Sequence, residues 1–166
     1  MLRAEELVRA IVAAETPLFG ICFGHQMVGE ALGGKVAKNP RGREIGTVEV
    51  RMKPGAEDEP ILRGINRTFR ANNTHVDSVV TLPPGARVLA ETSLEENAVF
   101  VVGKTTKCVQ FHPEIDGDAM CGYIEGRAHL IEAEGNDPKP ILSGAVDTPE
   151  GAETLRNFVR HVVLRK

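Results

Sequence analysis

The segment Leu18-Phe19-Gly20-Ile21-Cys22-Phe23-Gly24 constrains the fold more than any other part of this chain. A short apolar run leads into a Gly-x-Cys-x-Gly pattern. Apolar residues then recur at helical spacing through Phe23, Met27, Val28, Ala31 and Leu32. This reads as a strand buried on both faces, a sharp turn and a helix. Gly33-Gly34 stops that helix as a C-cap would. Upstream, Leu7, Val8, Ile11 and Val12 predict an amphipathic helix over 3–15, ended where Pro17 pushes Thr16 out of the α region. Helix, strand, turn and helix in that order is the grammar of a parallel α/β sheet.

Further strands are predicted over Gly46–Met52, Arg67–Asn72, Arg87–Glu91, Ala98–Val102 and Lys107–Phe111, separated by turns such as Leu82-Pro83-Pro84-Gly85. Met120, Tyr123, Ile124, Arg127 and Ile131 mark a helix. A last one starts with Thr148 as N-cap and Pro149 at its first position, its buried stripe being Leu155, Phe158, Val159 and Val162. No linker interrupts the pattern, so residues 1–166 read as a single domain.

The turn carries chemistry. A nucleophile on a strained strand-to-helix bend needs small neighbours, which Gly20 and Gly24 supply. The helix N-terminus behind Cys22 favours a thiolate, and the Phe23 N–H points toward an oxyanion formed on an attacked carbonyl. A thiol nucleophile calls for a histidine base. His129 and His161 fall in helices as surface or packing residues, and His25, three residues past Cys22, points away from it. His112, in Gln110-Phe111-His112-Pro113-Glu114, closes an apolar strand, where active groups of parallel sheets gather. Pro113 holds His112 extended, so His112 and Glu114 project to one side at period two, and Glu114 can orient the imidazole.

Rival chemistries fit less well. Cys108 and His112, four apart on one strand, have Cα atoms about 13 Å apart, too far for a nucleophile–base pair. A zinc site from Cys22, His25, Cys108 and Cys121 has no paired Cys-x-x-Cys knuckle, so no metal is expected, and Cys108 and Cys121 read as packing residues. A net charge of −3 gives no diffuse pull on phosphate, and 4% aromatic residues leave little for base stacking. Nucleic acid and membrane are therefore not expected partners. The longest apolar runs, Ala10–Ala14 and Ala98–Val102, are far short of the ~20 residues that cross a bilayer. Three cysteines make no disulfide framework and point to a reducing cytoplasm.

These residues resemble the class I (triad) glutamine amidotransferases, and within them the stand-alone proteins similar to the amidotransferase domain of GMP synthase. The resemblance lies in Pro17 to Gln26, in Val109 to Glu114, and in Asn73-Thr74-His75-Val76-Asp77-Ser78 followed by Leu82-Pro83-Pro84-Gly85-Ala86. It implies an α/β, three-layer, flavodoxin-like fold with a mostly parallel central sheet. It implies hydrolysis of the side-chain amide of L-glutamine through a Cys22 thioester, with His112 as base, Glu114 as its partner and no cofactor. By the same matching, Gln26 contacts substrate, as the Phe23 N–H does by its place after Cys22, and Val76 and Asp77 lie in the loop that holds its amino-acid end. Val76 stands where relatives of the GMP synthase type have glycine. No Gly-x-x-x-x-Gly-Lys-Ser/Thr loop occurs, so an ammonia acceptor would lie on a separate synthase subunit. The family begins with a βαβ region and a glycine-rich loop, and the resemblance implies an N-terminally truncated version. A lost oxyanion donor there would cost about 100–1,000-fold in turnover. A cysteine hydrolase of γ-glutamyl peptides, or a weakly active or inactive relative, are the alternatives.

Overall fold

The computed structural model describes residues 2–165. Helix α1 (Leu2–Ala13) leads through Pro17 into strand β1 (Leu18–Ile21) and at once into α2 (Phe23–Ala31). Then come β2 (Lys35–Lys38), β3 (Glu44–Met52), two short 3₁₀ turns, β4 (Thr68–His75), β5 (Asp77–Thr81), β6 (Ala86–Glu91), β7 (Val99–Val102) and β8 (Thr106–Val109). The C-terminal part is helical: α3 (Gly117–Gly126), α4 (Ala128–Ala133), α5 (Pro138–Ser143) and α6 (Pro149–Asn157), which runs on into a π-helical turn, Phe158–Val163. The predicted helix through Met120 and Ile131 is two helices, broken at Arg127, whose φ of −115° leaves the α region. The short elements β2, β5 and α5 had no period long enough to be read from the sequence.

Among the described residues, six strands form one sheet in the order β1-β8-β7-β6-β3-β4, and β2 pairs with β5 separately. The α/β class and its layers are as expected, but the sheet is not mostly parallel. Only β1 and β8 run parallel, and every other pairing in it is antiparallel. For β6–β7 and β7–β8 the reason lies in connection length. A parallel return needs a crossover of roughly a dozen residues or more, whereas a short loop can join only antiparallel neighbours. The turn Gly103-Lys104-Thr105 folds β7 directly onto β8, with Gly103 at φ +60°.

Strand alternation divides the core into two layers. Val99 and Val101 of β7 and Val109 of β8 face a cluster completed by Ile61, Leu62, Phe69 and Phe158. Phe100 and Cys108, one residue out of phase, face Val8 of α1 and Val28 and Ala31 of α2. The β1–β8 pair, with α2 packed against it, therefore forms the floor on which Cys22 sits. A third cluster of Ile115, Met120, Ile124 and Ile131 anchors α3 and α4 beyond the end of β8.

Candidate active site

Cys22 links β1 to α2 with φ 46° and ψ −100°, a left-handed conformation that a non-glycine residue adopts only under constraint. Two backbone bonds impose it. The Cys22 N–H donates to the Val109 carbonyl at 2.9 Å, and its carbonyl accepts from the Gln26 N–H at 3.1 Å. The two flanking glycines are not equivalent. A Cβ on Gly20 would lie 2.9 Å from the Gly24 carbonyl carbon and oxygen and 3.0 Å from the His25 nitrogen, whereas one on Gly24 would meet nothing within 4 Å. Gly20 is thus what lets the helix start so close to the strand. As Cys22 precedes the first turn of α2, the Phe23 N–H has no intrahelical partner there.

Beyond β8 the chain closes a tight turn, the Ile115 N–H donating to the His112 carbonyl at 3.3 Å with Pro113 at the second position. The predicted strand ends at Val109 rather than Phe111. This turn, not strand alternation, brings His112 Nδ1 to 2.6 Å from Glu114 Oε1. Asn72 of β4, wholly buried, fastens the turn at both ends. Its carbonyl accepts the His112 N–H at 2.8 Å, and its Nδ2 donates to the Ile115 carbonyl at 3.0 Å. Burial pushes the His112 ring down, but hydrogen bonds to the Cys22 sulfur and to Glu114 outweigh it and raise the ring from 6.5 to about 9. The partly buried Glu114 is shifted up by desolvation, but its bond to His112 leaves it below its usual value.

The Cys22 sulfur is also approached by Gln110 Nε2 at 3.5 Å and, at 4.0 Å, by the Thr74 carbonyl. Gln110 is fully buried, and its Oε1 accepts from Gln26 Nε2 at 3.2 Å. Gln26 Nε2 donates as well to the Asp77 carbonyl at 2.7 Å. Asp77, Gln26, Gln110 and Cys22 therefore form one continuous chain of contacts. Val76 occupies the bend between β4 and β5, its carbonyl accepting from the Asn39 N–H at 2.8 Å. Neither Gln110 nor Asn72 was singled out from the sequence. Gln110, two residues before His112 in the same motif, carried a signal in its spacing, but Asn72 carried none.

The remaining histidines are engaged elsewhere. His25 is buried against Phe100, its Nε2 on the Asn97 carbonyl at 2.8 Å, and burial lowers it to about 3, so it is neutral. His75 lies between Glu44 (3.2 Å) and the Asp77 carbonyl (3.0 Å). His129 is exposed. Cys108 is wholly buried and its thiol is pushed well up by desolvation, as befits a packing residue. Beside the site, a cavity of about 370 Å³ is lined by Phe23, Gln26, Met27, Val36 and the acidic residues Glu5, Glu30 and Asp77.

A strained cysteine between a parallel strand and a helix, with a His–Glu pair beyond β8, places the molecule among α/β proteins that carry a cysteine on a strand-to-helix bend. The family model for glutamine amidotransferase class-I matches residues 2–123, and the chain belongs to that family. It is 38% identical over 156 residues to a GMP synthase [glutamine-hydrolyzing] of Symbiobacterium thermophilum, covering 92% of this chain and 24% of that protein. It is 28% identical over 160 residues to gamma-glutamyl peptidase 4 of Arabidopsis thaliana, covering 95% of this chain and 62% of the relative. The crystal structure of a glutamine amidotransferase from Thermotoga maritima superposes with a TM-score of 0.78 at 29% identity, over 96% of this chain and 67% of that one. The chain thus spans less than two thirds of the length of these two curated relatives. No helix among the described residues is long and apolar enough to cross a membrane.

Proposed function

We propose that the protein hydrolyses γ-glutamyl amides, L-glutamine being the simplest, with Cys22 as nucleophile, His112 as base and acid, and Glu114 orienting the ring. Sγ, its proton already held by the His112 ring, attacks the amide carbonyl carbon, and the oxyanion forms beside the Phe23 N–H. Collapse breaks the C–N bond, and the leaving amine takes the proton from His112. Water, deprotonated by the same ring, then splits the thioester to glutamate and restores the thiol. The carrying observation is the His112 ring bonded to the Glu114 carboxylate and raised by its interaction with Cys22, which sits on a strained bend. Gln26 and the loop of Val76 and Asp77 bound the substrate's amino-acid end. The exposed Asp77 carboxylate, which pairs with no cation among the described residues, suits an α-ammonium group.

Two leaving groups follow from the relatives. A protein similar to a GMP synthase releases ammonia, which here would pass to a synthase unit. The γ-glutamyl peptidase relative favours a second reading, in which the leaving group is an amino acid or peptide. A glutamine-mimicking diazo-ketone, 6-diazo-5-oxo-L-norleucine, tests both at once. It should leave one adduct on Cys22 by peptide mass spectrometry, absent in Cys22→Ala and slowed at least tenfold in His112→Asn. Full reaction without Cys22, or no reaction with it, would refute the proposal.

A further inference from the structure

The proposed mechanism sends the leaving amine toward His112, because that ring must hand it a proton. The residues around His112 therefore decide which amines can leave. There the structure holds an aromatic and a cation. Tyr123 lies nearly parallel to the His112 ring, at 29° and 6.5 Å between centroids. Arg127 sits four residues on, across the end of α3, so it shares a helix face with Tyr123. Its guanidinium carbon is 4.8 Å from the centre of the Tyr123 ring.

Arg127 differs from the arginines that this fold holds in ion pairs. Arg43, Arg87 and Arg156 each hold a glutamate. Among the described residues, the guanidinium of Arg127 touches only the ring and carbonyl of Tyr123 and pairs with no carboxylate. Tyr123 keeps 36% of its surface exposed and Arg127 is half-buried, so the cation is pre-placed on an aromatic platform yet open on its other side. Such an arginine offers a planar fork for a carboxylate at little further ordering cost.

We infer that Arg127, laid on Tyr123, is a specificity residue for the leaving group: it holds a carboxylate on the amine half of the substrate. The favoured substrates are then γ-glutamyl peptides that carry a carboxylate one residue beyond the scissile bond. This rests on the hydrolysis proposed above. The reach is right. The two stacked separations, 6.5 and 4.8 Å, keep the guanidinium carbon within about 11 Å of the His112 ring centre. One amino-acid residue spans about 3.5 Å, and a hydrogen bond of roughly 3 Å at each end bridges most of what remains. Ammonia, the leaving group of glutamine, cannot use Arg127 at all.

Three substrates with a common acyl half separate the possibilities: γ-glutamylglycine, γ-glutamylethylamide with its uncharged leaving group, and glutamine. Arg127→Ala should lower kcat/KM for γ-glutamylglycine at least tenfold, mainly through KM, and change the other two less than twofold. Arg127→Lys should recover part of the loss. An equal loss on all three, as from a purely structural role, or no loss on γ-glutamylglycine, overturns the inference. If the wild type cleaves none of them, the proposed hydrolysis fails separately. The subsite is then read by whether γ-glutamylglycine protects Cys22 from iodoacetamide better than γ-glutamylethylamide does. Protection lost in Arg127→Ala upholds it, and equal protection overturns it.

Discussion

Replacing Gly20 by alanine puts a methyl group 2.9 Å from the Gly24 carbonyl carbon and oxygen and 3.0 Å from the His25 nitrogen. All three are backbone atoms, so no flexible side chain can move aside. Carbon atoms pack best at about 3.5–4.0 Å, and the start of α2 must part from β1 by roughly 0.5–1 Å to reach that distance. Overpacking of this kind costs about 1–3 kcal/mol, and the lower entropy of an unfolded alanine returns about 0.4–1 kcal/mol. A net loss of about 1–2 kcal/mol lowers the Tm of a chain this size by roughly 2–8 °C. The displacement also moves Cys22 against His112, and a misplacement of ~1 Å at a reacting centre can cost about 100-fold in rate. The matched control is Gly24→Ala, whose new methyl group meets nothing within 4 Å and should leave Tm unchanged or slightly raised. Calorimetry reads the first effect and the rate of diazo-ketone labelling at Cys22 reads the second. The reasoning fails if Gly20→Ala matches the wild type in both, or if Gly24→Ala loses as much stability.

Two further changes probe the His112 side. Because His112 titrates at about 9 rather than 6.5, the folded state favours its protonated form. That contribution to stability is fully present below pH 6.5 and is lost as pH rises from there through about 9. Glu114→Gln removes the negative charge that helps to raise the ring. Its titration, followed by NMR of the imidazole protons, should fall toward 6.5, and the alkaline limb of the pH–rate profile should follow; an unmoved titration would deny Glu114 its orienting part. Asn72→Ala strips partners from the Ile115 carbonyl and from Thr47, whose hydroxyl donates to Asn72 Oδ1 at 2.6 Å. Unsatisfied buried groups cost about 1–3 kcal/mol each, so urea unfolding should show a loss of about 2–4 kcal/mol, with Cys22 labelling slowed as the His112 turn loosens. A loss under about 1 kcal/mol would mean the turn holds itself.

The sequence alone determined what depends on near neighbours. The β1–Cys22–α2 unit was legible because an apolar run, two glycines and a helical period coincide within fifteen residues, and β1 begins and ends where they place it. His112 and Glu114 were legible as a pair because only one residue separates them. The tertiary structure decided the rest, for a physical reason: contacts between distant segments leave no period in the chain. Local order suggested a parallel sheet, yet every pair in the six-stranded sheet but β1–β8 is antiparallel, and short loops decide that only for β6–β7 and β7–β8. Asn72 reaches His112 across forty residues of sequence, Gln26 reaches Gln110 across eighty-four, and Tyr123 lies beside His112 only because α3 packs back over the turn. Which residues surround the thiol was written in its own motif; which ones hold its partner, and which amine can leave past it, depended on how the chain folds back upon itself.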